Sequence, residues 1–326
     1  MPEILPSDRN CELMLLEIFI LIVGLVLLIL GGEFLVKGAS RIALRFNVSS
    51  MVIGLTIVAF GTSAPELLVS LNAAFKEVPD FAMGNVVGSN ISNLGLVLGV
   101  TCLFGFIPIH KGIAARDWLT AMLSSVLLYF FAKDGRLVFS EGLILFIGLM
   151  IYLTILLIKT RKDQIHLDYE IDLEKDNRFE KAKDLFLLLL GGACLYFGSN
   201  WFIDGAADIA MDFGVSQRII GLTILAIGTS LPELFTSVIA ARKRETDLAL
   251  GNLLGSNIFN ILSILGITSM IHPLDVNEII ISSDMIWMLG VTLCILPLML
   301  LRKRLGTPSG IILLVIYSVY MVIVLK

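Results

Sequence analysis

Two proline–glutamate steps fall inside long apolar runs, and they constrain the chain more than any other feature. The first lies in GTSAPE, Gly61 to Glu66, between VIGLTIVAF and LLVS. The second lies in GTSLPE, Gly228 to Glu233. Proline has no N–H, and its ring clashes with the carbonyl four residues back, so the first helix is expected to open near Gly61. Inside a bilayer, carbonyls freed in this way need a partner within the protein, a lined cavity or a bound cation. A carboxylate at membrane depth marks a functional site by default. Two interrupted spans at corresponding places in two halves point to a transporter's binding site.

Composition agrees with a membrane setting. The chain has 326 residues, 57% hydrophobic and 16% charged, with mean hydropathy +0.92. A soluble domain carries about 25% charged residues. Apolar runs near the length of a bilayer crossing make this an all-α polytopic membrane protein. Ten spans are expected, roughly over 14–43, 49–75, 80–106, 113–132, 139–159, 184–211, 217–242, 247–271, 279–301 and 309–325. Residues 1–12 are polar, and the first apolar run has no small-residue cleavage site, so it reads as a retained span. Four scattered cysteines without a CxxC read as small hydrophobes. No basic patch interleaved with aromatics suggests nucleic acid. No cofactor and no obligatory protein partner are implied beyond the lipid bilayer.

The chain repeats itself. Glu66 and Glu233 are 167 residues apart, as are Ser89 and Ser256, and Asn93 and Asn260. From Gly31 to Thr101 the halves align without a gap, about half the positions identical. This divides the chain into residues 1–158, a polar linker 159–183, and residues 184–326. Five spans per half is an odd number, so the second half must enter the membrane from the opposite side. The prediction is two inverted five-helix repeats with helices 2 and 7 broken. With both termini on one side, that side holds Arg9, Lys76, Lys133, Arg136, Arg218 and Lys326. The other side takes the remaining 18 of the 24 Lys and Arg. The positive-inside rule then places the linker in the cytoplasm and both termini outside the cell membrane. Lys37, Arg41 and Arg45 end the first span, while their counterparts are Asp204, Asp208 and Asp212. A repeat whose flanking charges change sign is what inversion requires. The linker mixes acids and bases but has no EF-hand pattern of ligands around a central glycine.

Each half carries a second motif 27 residues after the first: GNVVGSNISN, Gly84 to Asn93, and GNLLGSNIFN, Gly251 to Asn260. Asn85, Ser89 and Asn93 are spaced by four and share a helix face, as do Asn252, Ser256 and Asn260. Gly84, Gly88, Gly251 and Gly255 allow close helix approach. Taken alone, such a motif is more often helix packing than a ligand set. Ser63-x-x-Glu66 and Ser230-x-x-Glu233 also read as capping boxes. Capping explains the spacing but not why a carboxylate is set at membrane depth twice. Together the motifs supply only hard oxygens: two carboxylates, amides, the hydroxyls of Thr62, Ser63, Thr229 and Ser230, and carbonyls near Ala59 and Ala226. Such a set suits Ca²⁺, or Na⁺ in smaller groups of ligands. Two carboxylates give a charge of −2, which one Ca²⁺ or two Na⁺ neutralise.

At these residues the sequence resembles the sodium/calcium exchanger membrane family of the cation/calcium antiporters. GTSAPE with GSNISN is similar to its first α-repeat, about residues 54–101, and GTSLPE with GSNIFN to its second, about 221–268. The resemblance covers both halves and implies ten helices, alternating access, and exchange of Ca²⁺ for Na⁺ by a secondary transporter rather than an enzyme. It implies Glu66 and Glu233 as the principal Ca²⁺ ligands. Thr62, Ser63, Thr229, Ser230, Ser89, Ser256 and the carbonyls of Ala59 and Ala226 would share the Na⁺ sites with them. Potassium-dependent members carry Asp where Asn260 stands. Here both Asn93 and Asn260 are neutral, so K⁺-independent exchange is expected, and the resemblance implies that the exchange is electrogenic. Alternatives are a proton-coupled antiporter and, in another class, a cation channel. An intramembrane enzyme is disfavoured, since there is no GxGD and no His within a span.

Overall fold

The protein is described by a computed structural model covering residues 8–46, 48–76, 79–109, 113–162, 178–214 and 226–324. Helix α1 is Asp8–Arg45 and α2 is Ser50–Thr62, followed by α3, Ala64–Phe75. Helix α4 spans 79–104, α5 is Ile113–Ala132 and α6 is Phe139–Lys162. In the second half, α7 is Arg178–Asp212, α8 is Leu231–Arg242, α9 is Thr246–Ile271, α10 spans 280–302 and α11 is Thr307–Val324. A short turn, Ala226–Gly228, precedes α8.

Among the described residues, seven helices are long and apolar enough to cross a membrane, and the bent pair α2–α3 makes an eighth. Most of the linker and the first limb of the second broken span lie outside the described residues. Helices α4 and α9 form the centre: the most apolar stretch of α9 is wholly buried and that of α4 nearly so, while the outer helices keep most of theirs exposed. This matches a bundle whose rim faces lipid. With 38 and 35 residues, α1 and α7 would reach about 57 and 52 Å at a 1.5 Å rise. Both exceed a hydrocarbon core of about 30 Å, so they must tilt or project from it.

Helices α1 and α7 lie antiparallel on a run of glycines spaced by seven. A Cβ added at Gly24 would meet the Gly198 carbonyl at 2.9 Å, and one at Gly191 would meet the Gly31 carbonyl at 2.8 Å. Gly24 corresponds to Gly191, and Gly31 to Gly198. Each half therefore offers the same two glycines, and they meet crosswise. Only residues without a Cβ allow backbones this close, which is how helices associate without a hydrophobic driving force between them. The seven-residue spacing of Gly24, Gly31 and Gly38 with Gly191, Gly198 and Gly205 was readable in the sequence.

The same crosswise exchange recurs elsewhere. A Cβ at Gly310 would fall 2.6 Å from the Gly99 carbonyl, and one at Gly142 would fall 2.7 Å from that of Gly266. Gly99 and Gly266 are counterparts, so each half's α4 or α9 crosses the other half's last helix. Two short antiparallel ribbons repeat the pattern. Strand β1, Ile107–Pro108, pairs with β4, Arg304–Leu305, placing Ile107 opposite Leu305. Strand β2, Arg136–Leu137, pairs with β3, Leu274–Asp275, placing Leu137 opposite Leu274.

Candidate cation site

The first break sits at Ser63, two residues beyond the predicted opening at Gly61. Helix α2 stays wound to Thr62, Ser63 takes φ −87° and ψ 4°, and α3 begins at Ala64. The limbs bend by 44°. Pro65 thereby falls in the first turn of α3, where its missing N–H would have had no helical partner in any case. Because winding continues past Gly61, the Ala59 carbonyl is not released. It accepts the Ser63 N–H at 3.0 Å and lies 3.3 Å from Thr62 Oγ1. Ser230 repeats the geometry, with φ −86° and ψ 4°. Glu66 and Glu233 each fall in the first turn of the helix after the break, at its positive end. Both carboxylates are completely buried.

Neither serine caps its helix through its side chain. Ser63 Oγ instead reaches across the halves and donates to Glu233 Oε1 at 3.1 Å. Ser256 Oγ donates to the same oxygen at 3.3 Å. Thr62 Oγ1 lies within reach of Asn252 Oδ1 at 3.0 Å and Ser256 Oγ at 3.3 Å. The break of the first half thus meets the second motif of the other half. Asn85 donates to Ser70 Oγ at 3.1 Å, and its counterpart Asn252 donates to Ser237 Oγ, also at 3.1 Å. This bracket fixes α4 to α3 and α9 to α8, and Asn85 also reaches the Glu66 carbonyl at 3.3 Å.

At the contact between α4 and α9 four asparagines close a ring. Asn90 Nδ2 donates to the Asn257 carbonyl at 3.2 Å, and Asn257 Nδ2 to the Asn90 carbonyl at 3.1 Å. Asn93 Nδ2 donates to Asn257 Oδ1 at 3.2 Å, and Asn260 Nδ2 to Asn90 Oδ1 at 3.0 Å. Each helix widens to a π turn from the last asparagine onward, Asn93–Val97 and Asn260–Leu265. A third π segment, Gly54–Val58, precedes the break in α2. Such turns concentrate at functional sites. Gly251 and Gly255 let α9 lie against α2: a Cβ there would come 2.6 Å from the Met51 carbonyl and 2.7 Å from Ala59 Cβ. For Gly84 and Gly88 the counterpart of this contact involves residues outside those described.

What remains without a partner is informative. Of twelve buried side-chain atoms with no hydrogen bond among the described residues, eight belong to the breaks, the helices they open and the shared faces of the second motifs: both oxygens of Glu66, Oε2 of Glu233, the hydroxyls of Ser89, Ser230 and Thr236, and Oδ1 of Asn93 and Asn260; the others are on Glu17, Ser40, Ser92 and Thr268. Buried polar atoms are nearly always satisfied, so a concentration of orphans needs a reason. These orphans are all oxygens, the donor set of a hard cation. Thr229 is half-buried beside Ser230, and Ala226 opens the short turn before it.

Ser70, Ser237, Asn90 and Asn257 were not among the sequence candidates. All four repeat at the 167-residue offset, but so do about half the positions from Gly31 to Thr101, so the offset alone does not single them out. Asn90 lies off the face shared by Asn85, Ser89 and Asn93, so a one-face argument does not reach it.

Residues 16–158 and 183–326 match the family described as sodium/calcium exchanger protein. The chain belongs to that family. It is 32% identical to the sodium/calcium exchanger MaX1 of Methanosarcina acetivorans, covering 93% of this chain and 97% of that one. CaxA of Alkalimonas amylolytica is 41% identical, covering 94% and 98%. A solved structure of the sodium-calcium exchanger NCX_Mj superposes with a TM-score of 0.83 at 32% identity, covering 95% of this chain and 99% of that chain. Members of this exchanger family are multi-pass membrane transporters and not enzymes, and the site above belongs to such a protein.

Proposed function

We propose that the protein is a secondary antiporter that exchanges Ca²⁺ for Na⁺ by alternating access, electrogenically and without K⁺. The observation that carries this reading is the pair of fully buried carboxylates, Glu66 and Glu233, set by two matching helix breaks among buried oxygens without partners. A bare charge of −2 in a low-dielectric interior is expensive, while the loaded site is neutral with one Ca²⁺ or two Na⁺ and +1 with three Na⁺. Obligatory exchange follows if only a loaded site can be occluded. Glu66 and Glu233 are the Ca²⁺ ligands in this reading. Thr62, Ser63, Thr229, Ser230, Ser89, Ser256, Asn93, Asn260 and the carbonyl of Ala226 complete the ion sites, and the Ala59 carbonyl would join them only by giving up one of the bonds it accepts from Ser63 N–H and Thr62 Oγ1.

The architecture in this reading is ten helices in two inverted repeats. The crosswise meeting of Gly24 with Gly198 and of Gly31 with Gly191, the exchanged ribbons and the reciprocal asparagines support it. The linker faces the cytoplasm and both termini lie outside, as the distribution of Lys and Arg argues.

The decisive experiment is ⁴⁵Ca²⁺ uptake into proteoliposomes with an imposed Na⁺ or H⁺ gradient. Uptake driven by outward Na⁺ and indifferent to added K⁺ is expected. Uptake that follows the proton gradient instead would replace Na⁺ by H⁺ as the coupling ion. Ca²⁺ flux that persists with no counter-ion on the far side would make the protein a channel.

A further inference from the structure

We infer that Asn90 and Asn257 are positioning residues: each fixes which way the terminal amide of Asn260 or Asn93 faces, and so turns an oxygen toward the transported cation. The inference rests on the cation-exchange reading above. Neither asparagine was a sequence candidate, and neither offers a free oxygen of its own to an ion.

The argument starts from a group that can only accept. A backbone carbonyl has no proton, so the Asn90 atom 3.2 Å from the Asn257 carbonyl must be its nitrogen. The same nitrogen lies 3.8 Å from Met288 Sδ, a weak acceptor. With its nitrogen committed, Asn90 turns its Oδ1 to Asn260, and only the Asn260 NH₂ can meet an oxygen there, at 3.0 Å. Asn260 Oδ1 is then forced to the opposite side, where it is buried without a partner among the described residues. The other half repeats each step. Asn257 donates to the Asn90 carbonyl, its Oδ1 accepts from Asn93 Nδ2, and Asn93 Oδ1 is left over. All four side chains are buried, none more than 3% exposed.

The orientation matters because the two ends of an amide do opposite things. Asn260 lies one helical turn after Ser256, which holds Glu233. With its oxygen free, Asn260 is a cation ligand. Turned by 180°, it would present NH₂ to the buried carboxylates, satisfying them and competing with the ion. Oxygen and nitrogen differ little in size, so packing alone selects neither orientation. The hydrogen bond to Asn90 does.

The test is a pair of double-mutant cycles on the purified full-length protein, read by Ca²⁺ calorimetry and by ⁴⁵Ca²⁺ uptake in proteoliposomes. Asn90→Leu keeps the volume and removes both polar ends. Its Ca²⁺ affinity is expected to fall about tenfold, the worth of one misdirected buried hydrogen-bonding group, with the maximal rate within about threefold of wild type. In an Asn260→Ala background there is no amide left to orient, so Asn90→Leu should cost no further affinity. Equal fold-losses in both backgrounds would overturn the assignment. So would a lowered thermal midpoint without cation but an unchanged Ca²⁺ affinity, since that describes a structural clip. Should Asn90→Leu fail to fold, Asn257→Leu against Asn93→Ala reads the same relation from the other half. A wild type that binds no Ca²⁺ sinks the functional reading and the assignment with it. A wild type that binds Ca²⁺ but shows equal losses in both backgrounds sinks the assignment alone.

Discussion

The two halves are alike at the centre and unlike at the rim. At the centre, the breaks at Ser63 and Ser230 share their backbone angles, and the brackets Asn85–Ser70 and Asn252–Ser237 share their length. At the rim, helix α1 lies against α8, where a Cβ at Gly32 would meet Ile239 Cδ1 at 2.6 Å and the Phe235 carbonyl at 3.3 Å. The mirrored contact would place α7 on α3. It is not made: Leu68, the counterpart of Phe235, is 46% exposed, and Asn72 is exposed where Ile239 is only 7% exposed. The ends of the α1–α7 pair differ in charge as well. At one end Arg45 and Arg41 reach the buried carboxylate of Asp184 at 2.7 and 3.3 Å. At the other, the corresponding residues are Asp212, Asp208 and Glu17, three acids.

A symmetric scaffold caught in an asymmetric arrangement is what the proposed alternating access requires, because its two end states would be exchanged by swapping the contacts of the halves. On the proposed orientation, the closed end between α1 and α8 is cytoplasmic and the open side faces out. The central pair and the rim should therefore respond differently to mutation. Glu66→Gln and Glu233→Gln strike the centre, and each is expected to reduce Ca²⁺ uptake by at least about a hundredfold, the scale of leaving a buried charge uncompensated. The loss should be equal in the two halves even though only Glu233 is held by Ser63 and Ser256. Wild-type uptake by either purified, folded mutant would remove the carboxylates from the mechanism.

Substitutions in the α1–α7 contact should divide by face. A Cβ at Gly198 would meet the Gly24 carbonyl at 2.9 Å, backbone that cannot step aside. Gly198→Val is expected to destabilise the helix pair by about 1–3 kcal/mol, the usual scale of overpacking, and to lower the thermal midpoint whichever side is open. Gly32→Val instead strains only the contact with α8, so it should spare the midpoint more and favour the state in which α1 leaves α8. An equal loss of midpoint for both variants would mean that the α8 contact is permanent.

Much of this arrangement was legible in the sequence. The breaks, the offset of 167 and the helical face of Asn85, Ser89 and Asn93 follow from proline chemistry and periodicity, and Thr62 and Ser63 do meet the other half's motif. The position of the break was not, because Gly61 tolerates helix and the chain opens only where Pro65 can occupy a first turn. The asparagine ring was not, because Asn90 and Asn257 act across two helices, and a one-helix face argument cannot see a partner on another. The unequal rim was beyond reach in principle: a repeated sequence specifies two mirrored arrangements, and which one is adopted depends on small differences between the halves.

Asn260→Asp tests how far the centre depends on neutrality. The substitution raises the site from −2 to −3 and removes the NH₂ that Asn90 Oδ1 accepts, setting two oxygens 3.0 Å apart unless one is protonated or Asn90 turns. Near a cation, an added charge at about 4 Å is worth a few kcal/mol per unit charge at an effective dielectric of about 20, before the cost of that repulsion. The expected outcome is a change of about tenfold in apparent Ca²⁺ affinity, with a pH profile that differs from the wild type's, since the added carboxyl carries its charge only after losing a proton. Uptake would be measured with Na⁺, with Na⁺ plus K⁺, and across pH. A strong K⁺ requirement in the wild type, or an unchanged profile in the mutant, would go against the reading of Asn93 and Asn260 as neutral ligands.

The smallest effect expected is at the rim, and it bears most directly on the asymmetry. Lys243, just beyond α8, forms an ion pair with Glu33 of α1, next to the Gly32 contact. The counterparts of these residues are Lys76 and Asn200, which cannot form one. The closed end between α1 and α8 thus has an ionic tie that the mirrored state lacks. The two side chains are 34% and 44% exposed, and exposed pairs contribute about 0.2–1 kcal/mol. Removing the tie with Glu33→Gln should therefore move the balance between the states by no more than about fivefold. A single cysteine at Asn72, on the open side, reads the population directly. Its labelling by an impermeant maleimide should slow in Glu33→Gln, and a cysteine at Ile239 should become more reactive from the opposite side. Asn200→Glu offers the converse, a new partner for Lys76 that would tie α7 to the end of α3. It should drive both cysteines the same way as Glu33→Gln, and the two substitutions together should exceed either alone. Labelling rates that do not move in any of the three would mean that the ion pair accompanies the closed end without stabilising it, and that the difference between the halves is set by packing at Gly32.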